Sequence, residues 1–332
     1  LYYIALFFQA DLEAAKLGIG RVPEEDIPEA RPILTGLYFL LPFAVLIVAL
    51  FKFNQPPQLA ALMGAAVLFV LALIFGYRGE RMNWKAILEA LSGAGLAALD
   101  IVLVCVAAGI VIGILGISGL GFNLTLALVQ VGEGSLFLLL SLSAIVCVIL
   151  GMGLPTVGVY VLLAALVAPA MVKVGIEPIA AHLFVVYFGM MSMITPPVAI
   201  AAFAAATLAR SDPMDTGWAA VRFGWMAYVV PFLFVLSPTL LLIGTPGHIF
   251  IAIVTAIIGV WLVSIAIVGF FMRALPPFMR LLFGASGLLA LVPATTFPGA
   301  EYTDIAGAAL GLFMIGYEIF AVRALAPSKT AT

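Results

Sequence analysis

Eight stretches of the chain, at 34–52, 58–76, 98–118, 178–208, 218–242, 248–272, 280–296 and 303–323, stay apolar over about the length that a helix needs to cross a hydrocarbon layer roughly 30 Å thick. A ninth, 136–172, is cut by Gly151-Met-Gly-Leu-Pro155. Of the 332 residues, 65% are hydrophobic and 9% charged, against roughly 25% charged in an average soluble domain. A water-soluble fold has no means of hiding that much apolar surface, so the surrounding medium is lipid. In lipid every backbone polar group has to be satisfied within the protein, which turns such runs into helices. The expected fold class is therefore an all-α polytopic membrane protein with about eight transmembrane helices. The net charge of −2 argues against a nucleic-acid partner, and the two cysteines, Cys105 and Cys147, lie in apolar runs and outline no metal cluster.

Each arm of 136–172 has about 15–18 residues and reaches roughly 22–27 Å at 1.5 Å per residue. That is short of the full layer, so a re-entrant hairpin competes with two crossings. The basic residues help to decide. Arg78, Arg81 and Lys85, then Arg210 and Arg222, then Arg273 and Arg280, then Arg323 and Lys329 mark four segments, while 243–247 and 297–302 carry no basic residue. With the basic segments in the cytoplasm, Lys85 to Arg210 crosses an even number of times. Spans 98–118 and 178–208 supply those crossings, and 136–172 enters and leaves from the outer face; Lys52, at a span end, snorkels. Met82 to Ala97 has the spacing of an amphipathic helix lying on the inner surface. Residues 9–31 carry six acidic and three basic residues with Pro23 and Pro28, and read as a polar linker. The expected divisions are 1–32, 33–242 and 243–332.

Two apolar segments are broken by Pro and Gly: Gly151-Met-Gly-Leu-Pro-Thr156 and, inside 178–208, Ser192-Met-Ile-Thr-Pro-Pro-Val198. Such breaks free carbonyls that lipid cannot satisfy, and they persist where they line a protein-enclosed or wet cavity. A single break usually only kinks a helix. Two of like chemistry, joined by a return connection at Lys173 to Pro178, point to the ion and substrate site of a transporter. Carbonyls and hydroxyls without a carboxylate suit a weakly held monovalent cation such as Na⁺ better than Mg²⁺ or a transition metal.

The string Gly151-Met-Gly-Leu-Pro-Thr-Val-Gly-Val-Tyr160, followed by Pro169, Gly175-Ile-Glu-Pro178, His182-Leu-Phe and Thr195-Pro-Pro-Val198, resembles the second repeat of the large membrane subunit of tripartite ATP-independent periplasmic (TRAP) transporters. The Gly-Met-Gly-Leu-Pro-Thr form is similar to the fused permeases of the TAXI subgroup. The resemblance covers about residues 1–242, and the last three spans resemble the extra C-terminal helices of those permeases. It implies half of an inverted-repeat elevator fold in the bacterial inner membrane. It also implies coupling to Na⁺ with no other cofactor, and import of a small organic anion delivered by a periplasmic substrate-binding protein. Carried over by position, the Na⁺ candidates are Gly151, Gly153, Thr156, Thr195 and Pro196, and the substrate candidates are Gly153, Pro155, Thr156, Thr195 and Pro197. Leu1 to Lys16 resembles the end of the first repeat, so that repeat, or a small membrane subunit, is a further expected partner.

Other features read more plainly. Asp100 opens span 98–118 and is expected at a helix N-terminus facing the interface. Glu318, inside the last span, is expected to snorkel or pair with Arg323. His182 follows Pro178 within a turn, suiting a capping or interfacial role ahead of proton relay. The series Gly109, Gly113, Gly116, Gly119 and Gly121 follows no strand, which removes a nucleotide fingerprint; close helix packing is the default, with an unwound turn at Gly116 to Gly121 as the alternative. Arg210 to Asp215 reads as a solvated loop with Pro213 ending a helix. An intramembrane enzyme would need a nucleophile with a base, or metal ligands, and neither pattern is present in the sequence. A scaffold subunit of a transport complex is the alternative to the permease, although it has no need of two breaks.

Overall fold

The computed structural model describes residues 1–20, 22, 23, 27, 36–75, 83–292 and 300–325. Among them the chain is helical nearly throughout, and the one strand-like feature is an isolated bridge between Phe270 and Ala274. The helices are α1 Tyr2–Leu17, α2 Leu41–Phe51, α3 Pro57–Ile74, α4 Trp84–Ile117, α5 Leu120–Gly134, α6 Leu136–Gly151, α7 Thr156–Leu166 and α8 Ala168–Lys173. They continue as α9 Pro178–Met191, α10 Ile200–Ala209, α11 Pro213–Phe223, α12 Trp225–Leu236, α13 Pro246–Val268, α14 Pro277–Leu291 and α15 Ala300–Leu325. Proline opens α3, α9, α11, α13 and α14, where its missing N–H has no helical partner to lose. Pro213 thus starts α11, and it is Arg210, in the left-handed region, that ends α10. Asp212 caps α11 by accepting from the Met214 and Asp215 amides at 2.9 Å each.

Among the described residues, five segments are long and apolar enough to cross a bilayer: Pro57–Ile74, Thr156–Lys173, Pro213–Leu236, Pro246–Val268 and Tyr302–Ala321. Cys105–Ile117 with Leu120–Gly132 makes a sixth if that pair, bent by 74°, is a single span. The chain is an all-α polytopic membrane protein. Expected spans 34–52 and 280–296 appear as the shorter apolar helices Leu37–Phe51 and Pro277–Leu291.

Two details depart from the sequence reading. The amphipathic segment and span 98–118 are one helix, α4, so Asp100 sits in its interior and not at an N-terminus. Backbone hydrogen bonding does not stop where side-chain polarity changes; Gly93 and Gly95, just before the boundary, are held within the helix, and no proline stands there to end it. The unwound turn near Gly116 to Gly121 narrows to Ser118-Gly119, with Gly119 at φ 71°, after which α5 begins.

By packing, the chain forms two compact units, residues 20–102 and residues 1–19 with 103–332. In the first, α2 and α3 pair closely: a Cβ on Gly64 would lie 3.1 Å from the Pro42 carbonyl oxygen. In the second, α9 is central and packs against α6, α7, α8 and α12. A core of Leu139, Leu163, Met171, Phe184 and their neighbours ties these together. Helix α1 docks on α11, α12 and α13. Its Glu13 binds Arg222 at 2.8 Å, and Lys16 donates to the Val268 carbonyl at 2.9 Å, a cation at the negative end of α13.

Helices α13, α14 and α15 pack mutually, and an ion pair between a buried carboxylate and a half-exposed guanidinium closes one end of the group. Glu318 on α15 is fully buried and accepts from Arg273 Nε at 2.8 Å and Nη2 at 3.0 Å. Its partner is therefore Arg273, in the α13–α14 connection, where the sequence points to Arg323. Hydrogen bonding first and charge second hold the Arg273 guanidinium above its ordinary range. Breaking such a pair from one side leaves the other charge stranded, whereas replacing both with apolar groups costs less. Arg273→Met should therefore lower the thermal midpoint of the purified protein more than Glu318→Gln does, and Arg273→Met with Glu318→Met should recover much of the loss. Additive losses in the double variant would remove the ion pair as the cause.

Candidate functional site

Helix α6 ends at Gly151 because Met152 turns extended, Gly153 takes φ 78°, and Pro155 permits no helical N–H before α7 starts at Thr156. Helix α9 ends at Met191. The chain then turns through residues 192–199, with a cis bond between Pro196 and Pro197, and Ala199 in the left-handed region leads into α10.

The two breaks meet. The Ser192 hydroxyl lies 2.9 Å from the Gly151 carbonyl oxygen and 2.7 Å from that of Gly189, so its one proton serves two acceptors. Contact is so close that a Cβ on Gly151 would lie 2.6 Å from the Gly189 carbonyl oxygen and 3.1 Å from Ser192 Oγ. On its other flank Gly189 faces α7, where an added Cβ would strike Val159 Cγ1 and come within 2.8 Å of Leu163 Cδ1. Glycine at these two positions lets backbone approach backbone at the junction.

The second break is backed by α11 and α12. Thr195 Oγ1 donates to the Met191 carbonyl and lies 2.7 Å from the Tyr228 hydroxyl. A Cβ on Gly217 would be 2.9 Å from Pro196 Cγ, and one on Gly224 would be 2.8 Å from Ile194 Cδ1. Small residues thus let α11 and the start of α12 lie against Ile194 and Pro196, and Tyr228 clamps the residue between them. Phe188, Phe232 and Phe184 continue the α9–α12 seam, with ring centroids 5.5–5.6 Å apart at Phe232.

Several oxygens remain without a hydrogen bond. Ala199 N bonds the Thr195 carbonyl at 3.2 Å, and Ala201 N bonds that of Met193 at 3.0 Å. The carbonyls of Ser192, Ile194, Pro196, Pro197 and Val198 accept none, nor do those of Met152, Gly153 and Leu154. Carbonyl dipoles left bare in apolar surroundings are costly unless a cation or water takes the place of the missing donor. The two breaks thus offer neutral carbonyl oxygens and the Thr195 hydroxyl as oxygen donors, with no carboxylate among them.

Of the sequence candidates, Gly151 is joined to the second break through Ser192, and Thr195 and Pro196 lie within that break against α11 and α12. Gly153, Pro155, Thr156 and Pro197 are exposed, and no hydrogen bond joins Thr156 to the second break. Sequence reasoning missed Ser192 as the bridge and Tyr228 as the clamp. Tyr228 did leave a signal, a hydroxyl inside the apolar run of α12. His182 lies 3.1 Å by Nδ1 from the Tyr160 hydroxyl, which links α9 to α7 beside the junction.

Over residues 1–249 of 332 the sequence matches the model of the DctM component of the tripartite ATP-independent periplasmic transporter. The chain belongs to the DctM family. No curated protein and no solved structure matches it. As a DctM protein it is a membrane permease component of a TRAP transporter, of a family that transports and is not a family of enzymes. Both breaks, with α11 and α12 behind them, lie inside the matched region, while α14 and α15 lie beyond it.

Proposed function

We propose that this DctM component couples Na⁺ entry to the import of a small organic anion across the bacterial inner membrane, with the anion delivered by a periplasmic substrate-binding protein. The observation that carries the reading is the meeting of the two breaks at Gly151 and Ser192, beside carbonyls with no donor. Na⁺ is held by oxygens of Gly151, Gly153, Thr156, Thr195 and Pro196. Its charge draws the exposed Thr156 toward the second break and completes an anion surface at Gly153, Pro155, Thr156, Thr195 and Pro197. The start of α7, with N–H groups free of helical partners, favours a carboxylate there. The unit carrying both breaks then moves as one body past α2 and α3, in an elevator cycle; that α2 and α3 belong to a separate compact unit supports this. Residues 33–242 act as the second repeat, together with an upstream repeat or a small membrane subunit, and 243–332 form the C-terminal extension of a TAXI-type fused permease.

The test is uptake into proteoliposomes containing the complete permease with its binding protein, with and without a Na⁺ gradient. Uptake indifferent to the gradient overturns Na⁺ coupling. Within that assay Thr195→Val removes one charge–dipole contact, about 1.5 kcal/mol, and should raise the Na⁺ concentration for half-maximal uptake about tenfold. Tyr228→Phe keeps the Thr195 hydroxyl and should give a smaller shift. An unchanged Na⁺ response in Thr195→Val takes Thr195 out of the site.

A further inference from the structure

Beyond the family-matched region, α13 and α14 leave between them a groove of about 720 Å³, lined by Val263, Ala266, Ile267, Pro277, Leu281 and Leu288 with Arg280. Its walls are almost wholly apolar, and its size is that of a typical small-ligand cavity. Arg280 stands at the end nearest the α13–α14 connection. Its Nε donates to the Ala266 carbonyl at 3.0 Å and its Nη2 to that of Ile267 at 3.1 Å, so the guanidinium lies on the carbonyl end of α13. Gly269, at φ 70°, makes room for it, since a Cβ there would be 2.8 Å from Arg280 Nε.

Those two bonds use two of the five guanidinium N–H donors. The rest have no partner among the described residues, and no carboxylate pairs with Arg280, whereas Arg222 and Arg273 are bound by Glu13 and Glu318. An arginine with open donors, at the mouth of an apolar groove, is complementary to an anionic head joined to a hydrocarbon tail. The basic residues of this connection place it on the cytoplasmic side, where the leaflet carries anionic lipid. The N-terminus of α14 beside Arg280 adds positive partial charge.

We propose that the α13–α14 groove binds one acyl chain of an anionic phospholipid whose phosphate is held by Arg280. The site stands apart from the two breaks and does not rest on the transport reading. Purified, delipidated permease would be mixed with phosphatidylglycerol, with phosphatidylethanolamine of the same chains, or with inorganic phosphate. Retained lipid is read by native mass spectrometry and stability by thermal unfolding. Phosphatidylglycerol should be retained about tenfold better than phosphatidylethanolamine and should raise the unfolding midpoint, while inorganic phosphate should do neither. Ala285→Phe, at an exposed position on the groove wall, fills the groove, leaves the Arg280 bonds in place, and should abolish retention. Arg280→Gln should reduce the preference for phosphatidylglycerol to near unity. Equal retention of the two lipids by the unaltered protein, or full retention by Ala285→Phe, overturns the proposal. So does conversion of a dimer to a monomer by Ala285→Phe, which would assign this face to a second copy.

Discussion

Gly151→Ala should reduce Na⁺-driven uptake severely while the protein still folds and inserts. The added Cβ would lie 2.6 Å from the Gly189 carbonyl oxygen, a backbone atom that no rotamer change can move. The tip of α6 has to retreat from α9, and the Ser192 bond to the Gly151 carbonyl, 2.9 Å long, is lost with it. Overpacking of this kind costs about 1–3 kcal/mol, too little to unfold most proteins. Set against the one state in which the breaks meet, the same energy is a loss of roughly 5- to 150-fold. Gly189→Ala gives the contrast. Its Cβ would meet the Val159 and Leu163 side chains, so shortening the first of them, as in Gly189→Ala with Val159→Ala, should restore uptake. No shortened side chain should rescue Gly151→Ala. Uptake is read in proteoliposomes alongside the thermal midpoint of each variant. Near-normal uptake by Gly151→Ala would mean that contact between the breaks is not needed for transport.

The positions of both breaks could be read in the sequence because Gly and Pro act locally. The structure ends α6 at Gly151 and restarts at Thr156, and it ends α9 at Met191 and restarts at Ile200, matching the two interruptions. What surrounds the breaks is set by tertiary packing and was out of reach. Gly189, Gly217 and Gly224 look like ordinary small residues until α6 and α7 are seen against the first, and Pro196 and Ile194 of the second break against the other two. The Arg273–Glu318 pair joins residues 45 apart, and reasoning from neighbours on one helix turn finds Arg323 instead. Helix α5 was missed because Leu120–Gly134, with Asn123, Thr125, Gln130 and Glu133, is neither long enough nor apolar enough to announce a span. Thr156 was a reasonable ligand candidate by motif, yet in this structure its side chain is exposed. The Na⁺ reading therefore requires it to move when the ion binds.

The largest loss of stability is expected from Gly287→Leu in the C-terminal bundle. Lipid tails are as apolar as leucine, so helices in a bilayer are held by close packing and not by expulsion of water. Here the closest packing is made at glycines. A Cβ on Gly287 would lie 2.8 Å from the Gly259 carbonyl oxygen and 2.8 Å from Val263 N, and one on Gly307 would lie 2.6 Å from Ala290 N. Ser286 seals the second crossing by donating to the Gly307 carbonyl at 2.8 Å. Val263 Cγ2, 2.7 Å away, could shift, but the Gly259 carbonyl oxygen and Val263 N are backbone and cannot, so a leucine at Gly287 must push α13 and α14 apart along their seam. The expected cost is about 3 kcal/mol or more, a fall of roughly 5–10 °C in the thermal midpoint measured in detergent. Gly316→Leu is the matched control, on an exposed face of α15 with no atom near its missing Cβ, and should leave the midpoint within about 1 °C. Because the bundle continues past the family-matched region and the breaks lie within it, surviving Gly287→Leu protein should keep the Na⁺ dependence of the unaltered permease at a lower amplitude. A changed Na⁺ dependence would make the bundle part of the coupling machinery, and an unchanged midpoint would mean that α13 and α14 are spaced more widely than the structure places them.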